Sequence, residues 1–365
     1  MTKKISCIVL AALIVSGTTA CNKKENTKTE TASQIASSDN SQNATGTEVQ
    51  PETATEVSGI NPLTGESGFN PNALNKRPVA VMVNNLKESL PQYGIDDADI
   101  IYETSVEGGI TRLMAVYADY TNVPNVCSVR SCRYYYPLLA LGLDAIYCHW
   151  GADQTIALDT LNRTGIDHLD GASESGLFYR DQERAQTYDA EHTGYLCGSE
   201  LPDTIALHSF RTDVNAANAG GGLHFTSEGQ QIIPSGQSCT SMTLNFSDDY
   251  FSTFEYDQQT GEYLKFHSGS PHMDQVTGKQ IGFENVFAIQ TYVSTREDGY
   301  LMDVQTVGNG TGYYASKGAV EQITWSRASE TEPIRFYDPS GNELTLNIGE
   351  SYFGIIGTDK AIDIS

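Results

Sequence analysis

The chain has 365 residues, with 46 Asp and Glu against 22 Lys and Arg, and a formal charge of −24. So acidic a protein is repelled by nucleic-acid phosphates and by anionic headgroups, which excludes nucleic acid as a general partner. An apolar share of 39% supports packed cores, and the length suits two folded domains.

Residues 1–20 have the layout of a secretory signal peptide: Lys3-Lys4, an apolar run from Ile5 to Val15, then Ser16-Gly17-Thr18-Thr19-Ala20. The apolar run is too short to remain as a membrane span. Cys21 follows. A cysteine at this place is where a bacterial lipoprotein is cut and receives diacylglycerol, so Cys21 is the expected lipidation site. Membrane attachment through this N-terminal lipid, on the extracytoplasmic face, follows as an expectation. Thr18 stands where such signals usually carry Leu or another aliphatic residue. The alternative is an ordinary signal cut near Ala20 that leaves a secreted protein. Loss of Lys3 and Lys4 with the signal takes the charge from −24 to −26. From Asn22 to Val57 the chain is polar, without an aromatic residue, and Ile35, Val49 and Val57 are its only large aliphatics. Such a segment buries too little to offset its ordering entropy, so residues 21–58 are expected to be a disordered tether. As a coil it spans ~30–35 Å on average.

Residues 59–205 read as an α/β (or α+β) domain with a mixed sheet. After the turn-rich Asn61-Pro62-Leu63-Thr64-Gly65, the apolar run Pro78–Val83 predicts a buried strand. Ala98–Val106 and Ile110–Tyr117 predict two more, joined across Glu107-Gly108-Gly109. Tyr135–Leu143 predicts a helix, Asp144–Trp150 a strand, and Gln154–Arg163 a helix that stops near Gly165.

Between Leu201 and Gln237 the pattern weakens, and residues 206–237 read as a linker or boundary. Residues 238–365 then read as a mostly β domain of short strands: 242–246, 251–256, 263–267, 283–292, 299–304, 312–315, 320–325, 334–337, 343–346 and 352–356. Gly308-Asn309-Gly310-Thr311-Gly312 lacks the spacing and following helix of a phosphate loop and reads as a hairpin turn. His267 and His272 flank a turn and are expected to be exposed.

Cys127, Cys132, Cys148, Cys197 and Cys239 follow the lipidation site, with no C-x-x-C pair. They read as small buried residues, with a Cys127–Cys132 disulfide left open. No metal-ligand set, nucleophile elbow or P-loop appears, so neither a metal nor a cofactor is expected. The densest polar cluster comprises Glu103 and Glu107, Arg112, the Arg130-Ser131-Cys132-Arg133 run, His149, and Arg180-Asp181 with Arg184. Arginine forks bind carboxylate and phosphate bidentately. Arg112, Arg130, Ser131, Arg133, His149, Arg180 and Arg184 are therefore the candidate ligand-binding residues. A plainer reading pairs Arg112 with Glu103 or Glu107 across two strands. In an enzyme, Glu103, His149 or Asp181 would supply the acid or base. Cys148 should point away from His149, because strand side chains alternate.

These motifs resemble the YerB-like bacterial lipoproteins, which are built from two adjoining domains of unknown function. The resemblance is carried by Asn61-Pro62-Leu63-Thr64-Gly65, Arg77–Asn84, Ala98–Glu103, Glu107–Arg112, Val129-Arg130-Ser131 with Arg133, His149, Phe178–Asp181 with Arg184, and Glu191-His192. In the second half Asn285-Val286, Gly312-Tyr313-Tyr314 and Ile323-Thr324-Trp325 continue it. Cys127-Ser128, Cys132 and Trp150–Asp153 depart from the family pattern. The resemblance implies a surface-attached envelope protein of a Gram-positive bacterium, without an established reaction. The expected role is a non-enzymatic binding or scaffold module for an anionic wall polymer or an envelope protein. The alternative is a hydrolase or transferase acting on an anionic envelope substrate.

Overall fold

The computed structural model describes residues 59–365; the signal segment, Cys21 and the rest of residues 21–58 lie outside them. The N-terminal region has a mixed sheet with helices, and the C-terminal region is mostly strands. The elements that position the site are β1 (Val79–Asn84), β2 (Ile100–Ser105), β3 (Thr111–Tyr117), α1 (Tyr135–Gly142), β4 (Ile146–His149), α2 (Ile156–Thr164), β5 (His168–Asp170), β6 (Phe178–Arg180), β7 (Gly194–Leu196) and α3 (Leu201–Leu207). Then come β8 (Ser241–Asn245), β9 (Phe251–Asp257), β10 (Glu262–His267), β11 (Asn285–Thr291), β12 (Gly308–Ser316), β13 (Ala319–Arg327), β14 (Ser351–Gly357) and β15 (Ile362–Ile364).

One 11-stranded sheet runs through both regions, in the order Gln237–Ser238, β13, β12, β11, β14, β2, β3, β1, β4, β5, with Arg335–Tyr337 also on β13. The join is β14, parallel to β11 on one side and to β2 on the other. All seven of its residues are buried. A continuous apolar run is what a strand covered on both faces requires, and β1 shows the same pattern.

Alternation along β1 separates the two cores. Ala80 and Met82 face α1 and α2, through Tyr135, Tyr136, Leu139 and Ala157. Val79, Val81 and Val83 face a second, six-stranded sheet built on β8, β9, β10 and β15, through Met242, Leu244, Phe254 and Phe283. The long sheet is thus the middle of three layers. On β14, Phe353 stacks 5.0 Å from Tyr102 and 4.6 Å from Phe287, so the two regions share an aromatic core. Burying each such ring contributes about 1.5–3 kcal/mol.

The α2 helix forms because Ala157, Thr160 and Leu161 share a buried face. Asp153 Oδ1 accepts from the amides of Thr155 and Ala157 at its start, and Gly165 ends it in the left-handed region at φ 62°.

Several expectations need correction. The weakly patterned stretch after Leu201 holds α3, whose Leu201 and Ile205 pack on the core. Gly308-Asn309-Gly310 is no turn; it opens β12. A Cβ on Gly310 would lie 2.7 Å from Trp325 Nε1 and 2.8 Å from Gln290 O, so glycine lets the indole reach that carbonyl at 3.0 Å. The single run 283–292 is two pieces, Gly282–Phe283 on β10 and Asn285–Thr291 in the long sheet. His267 and His272 are buried rather than exposed, because Asn85 and Gln92 of the other region cover them. Cys127, Cys132, Cys148 and Cys239 are buried free thiols, and Cys197 is partly exposed and free, so Cys127 and Cys132 form no disulfide.

Candidate functional site

At the C-terminal ends of the parallel strands β1, β4 and β5, the sheet hands over to loops that carry most of the predicted residues. β4 pairs with β1 only as far as Val81–Cys148. Beyond that point the segment Ser128–Arg130 takes its place: Asn84 N donates to Ser128 O and Arg130 N to Met82 O. This docks Arg130, Ser131 and Arg133 beside the start of β3, where Arg112 projects. The end of an α/β sheet where strands part is a common place for ligand sites.

Arg112 is 5% exposed. Its guanidinium makes one hydrogen bond among the described residues, donating from Nη1 to Ser131 O at 2.6 Å. Burial, with Arg133 and Arg130 close by, pulls it down to about 10. It pairs with neither Glu103 nor Glu107. The register explains the first: Arg112 lies opposite Thr104, whereas Glu103 lies opposite Leu113, so the two point to different faces. Glu107 is held by Arg133, with Nε 2.8 Å from both carboxylate oxygens and Nη2 2.8 Å from Oε2.

Arg130 pairs with the exposed Glu191 at 3.0 Å, and its Nε is buried without a partner. Arg180 stacks on Trp150 at 4.1 Å, donates to Ala190 O at 2.7 Å, and meets no carboxylate within 4 Å among the described residues. Burial, then the charge of Arg130, lowers Arg180 below the usual arginine value. Gly194 permits the stack: a Cβ there would sit 2.9 Å from Val129 O and 3.1 Å from the Trp150 ring. Arg112, Arg130, Arg133 and Arg180 therefore form one neighbourhood. Ser131 lies among them, and its hydroxyl makes no hydrogen bond among the described residues.

His149 lies beneath this cluster, fully buried. It stacks on Tyr147, while Cys148 points into the opposite core, as alternation requires. Its Nδ1 is 2.9 Å from Gly151 O, so Nδ1 carries the hydrogen and Nε2 accepts from His168 Nδ1 at 3.0 Å. Burial pushes it down to about 4, against the pull of Asp170. It holds the Gly151 loop neutral and in place; that loop accepts from Cys132 N.

The other candidates lie elsewhere. Arg184 is buried with its donors on the carbonyls of His192, Pro91 and Ser89, under the rings of Tyr93 and Tyr188. Asp181 Oδ1 accepts from the amides of Glu183 and Arg184 and shapes that turn. Glu103 is 1% exposed and pairs with Lys265. Glu103, His149 and Asp181 thus occupy three separate settings. Lys265, which pairs with Glu103, went unnoticed in the sequence, and His272, which completes the network through Lys265, was expected to be exposed. No group of three or more His, Cys, Asp and Glu residues suited to a metal ion occurs among the described residues. Carboxylates collect instead at the far end of β2, where Glu66, Asp96, Asp97, Asp99 and Asp119 line a groove of about 770 Å³.

Two family models match: the N-terminal domain of a protein of unknown function (DUF3048) over residues 63–211, and the C-terminal domain of the same family over residues 242–353. YerB of Bacillus subtilis (strain 168), whose name classes it provisionally as a lipoprotein, is 27% identical over 304 residues. The match spans 80% of this chain and 84% of YerB. The crystal structure of YerB from Bacillus subtilis superposes with a TM-score of 0.69 at 24% identity, covering 83% of this chain and 98% of that one. The fold is therefore shared along nearly the whole of that structure.

Proposed function

The chain belongs to the YerB-like family of paired DUF3048 domains, and from that premise we propose that it is a lipid-anchored binding module of a Gram-positive cell envelope. Cys21 carries the lipid and residues 22–58 the tether, on the extracytoplasmic face. The body recognises an anionic wall component or an acidic envelope protein and does not turn it over. One observation carries the binding reading. Arg112, Arg130, Arg133 and Arg180 stand together against two paired carboxylates, Glu107 and Glu191, in a protein of charge −24. A buried, incompletely bonded guanidinium is costly unless something opposes it, and an anion from outside would do so.

The test has two parts. Mass spectrometry of the N-terminal peptide from the native host should find diacylglycerol on Cys21; an unmodified Cys21 removes the anchor. Purified protein should bind anionic wall polymer saturably, and Arg130→Ala with Arg180→Ala should weaken it at least tenfold. Binding that survives both substitutions places recognition elsewhere.

A further inference from the structure

We propose that the arginine cluster takes a phosphate group bearing two negative charges, a phosphomonoester or a pyrophosphate, in preference to a carboxylate. This rests on the anion-binding reading above and names the group bound.

The first argument is charge. Four guanidiniums meet two carboxylates, because Glu107 is held by Arg133 and Glu191 by Arg130. Arg112 and Arg180 have no ion-pair partner among the described residues. Asp153, whose charge reaches Cys132 together with those of Arg133 and Arg112, places Oδ1 on the backbone of α2, leaves Oδ2 buried without a partner, and makes no ion pair among the described residues. His149 is neutral behind the cluster. Two guanidiniums, Arg112 and Arg180, therefore remain without an ion pair among the described residues, and a single carboxylate can match only one of them.

The second argument is shape. A carboxylate offers two oxygens in a plane and is filled by one guanidinium fork, as Glu107 is by Arg133. The donors left over sit on different elements: Arg112 on β3, Arg130 with its unpartnered Nε and the Ser131 hydroxyl on the segment that docks against β1, and Arg180 at the end of β6. A tetrahedral phosphate presents three oxygens and suits such a set. Gly151 lies against the Ser131 hydroxyl, where a Cβ would come to 3.7 Å from Oγ.

The experiment is calorimetry on the purified full chain at low salt and pH 7.5, with inorganic phosphate, pyrophosphate, acetate and succinate as probes. Phosphate or pyrophosphate should bind at least tenfold tighter than acetate, and also tighter than succinate, which carries the same two charges in planar groups. At pH 5.5, below the second ionisation of a phosphoryl group at about 6, inorganic phosphate becomes a monoanion and its advantage over acetate should shrink severalfold, whereas pyrophosphate keeps two charges and its advantage. Arg112→Lys keeps the charge and loses the fork, and should lose at least tenfold in phosphate affinity. Should that variant misfold, Arg180→Lys on the rim reads the same loss. Acetate or succinate binding as tightly as phosphate overturns the proposal and leaves the anion site standing. No binding of any of the four overturns both. Glycerol phosphate in solution and phosphatidic acid in phosphatidylcholine vesicles carry the same group. A tenfold advantage for either over acetate supports the proposal and names the source as soluble or lipid-borne; failure of both overturns it for monoesters.

Discussion

Glu103 and Lys265 lie 3.3 Å apart with side chains 2% and 0% exposed, and they join the middle sheet to the six-stranded sheet behind it. Every remaining polar atom of the pair is met. Glu103 accepts from Asn85, Thr111, Ser252 and Tyr352, and Lys265 donates to Ser252 and His272. His272 in turn bonds Gln92. Burial alone would raise the Glu103 carboxyl, yet Lys265 and the hydroxyl donors hold it below its ordinary value. The network links strands far apart in the chain and acts as a polar seal between layers.

Lys265→Met should therefore cost about 3–5 kcal/mol, because it leaves Glu103 buried and unpaired. Adding Glu103→Gln should recover a large part, since neither charge then remains. Urea unfolding of the two variants and wild type checks this. Equal losses in the single and double variants would show that the pair is not coupled.

Glu107→Gln should release Arg133 from its bidentate clamp and add one positive charge to the cluster. Anion affinity should rise about threefold at low salt, with the gain shrinking at 0.5 M NaCl as screening sets in. Folding stability should fall by roughly 1–3 kcal/mol, the range for a lost hydrogen bond to a charged group. Calorimetry with phosphate at the two salt concentrations reads the first effect, and thermal melts read the second.

How much of this was legible follows from the range of the interactions. The strand β1 could be read because a segment buried on both faces must be apolar along its length, and that pattern is local. The grouping of Arg130 and Arg133 was visible because four residues of chain carry it. The partner of Arg112 was not, since it depends on which face of β3 the side chain takes and on Arg133 reaching Glu107 first. His267 and His272 look exposed beside Gly269 because nothing nearby in sequence covers them; Asn85 and Gln92, 182 and 180 residues away, do. Gly308 and Gly310 read as a turn because glycine usually punctuates, and the packing of Trp325 that requires Gly310 lies on the next strand.

His149 sets a pH limit on the fold. Burial lowers it from 6.5 to about 4, and His168 shifts in the same direction. In the unfolded chain the imidazole takes up a proton near 6.5, whereas in the folded state it resists until about 4. Its contribution is thus complete above pH 6.5 and is lost as the pH falls toward 4, on the order of 3 kcal/mol in all. Urea melts at pH 7, 5.5 and 4 should show this decline, and His149→Asn should flatten it. An NMR spectrum at pH 7 should find the His149 hydrogen on Nδ1.

The last long strand decides whether the two halves can live apart. β14 follows nearly all of the C-terminal region in sequence, yet it lies between β11 and β2 and pairs with both. Without it, β2 has an open edge, and Tyr102, which stacks on Phe353, faces water. Tyr352, Phe353, Ile355 and Ile356 are all buried, so their loss removes several kcal/mol of apolar burial from a domain with a margin of about 5–15 kcal/mol. Glu103 would also lose Lys265, Ser252 and Tyr352 together. Residues 59–237 expressed alone should therefore give a broad, non-cooperative melt and poor near-UV dichroism. Co-expression with residues 238–365 should restore a single sharp transition. A sharp melt from the N-terminal fragment by itself would show that β2 tolerates an open edge and that the shared sheet is dispensable for folding that half.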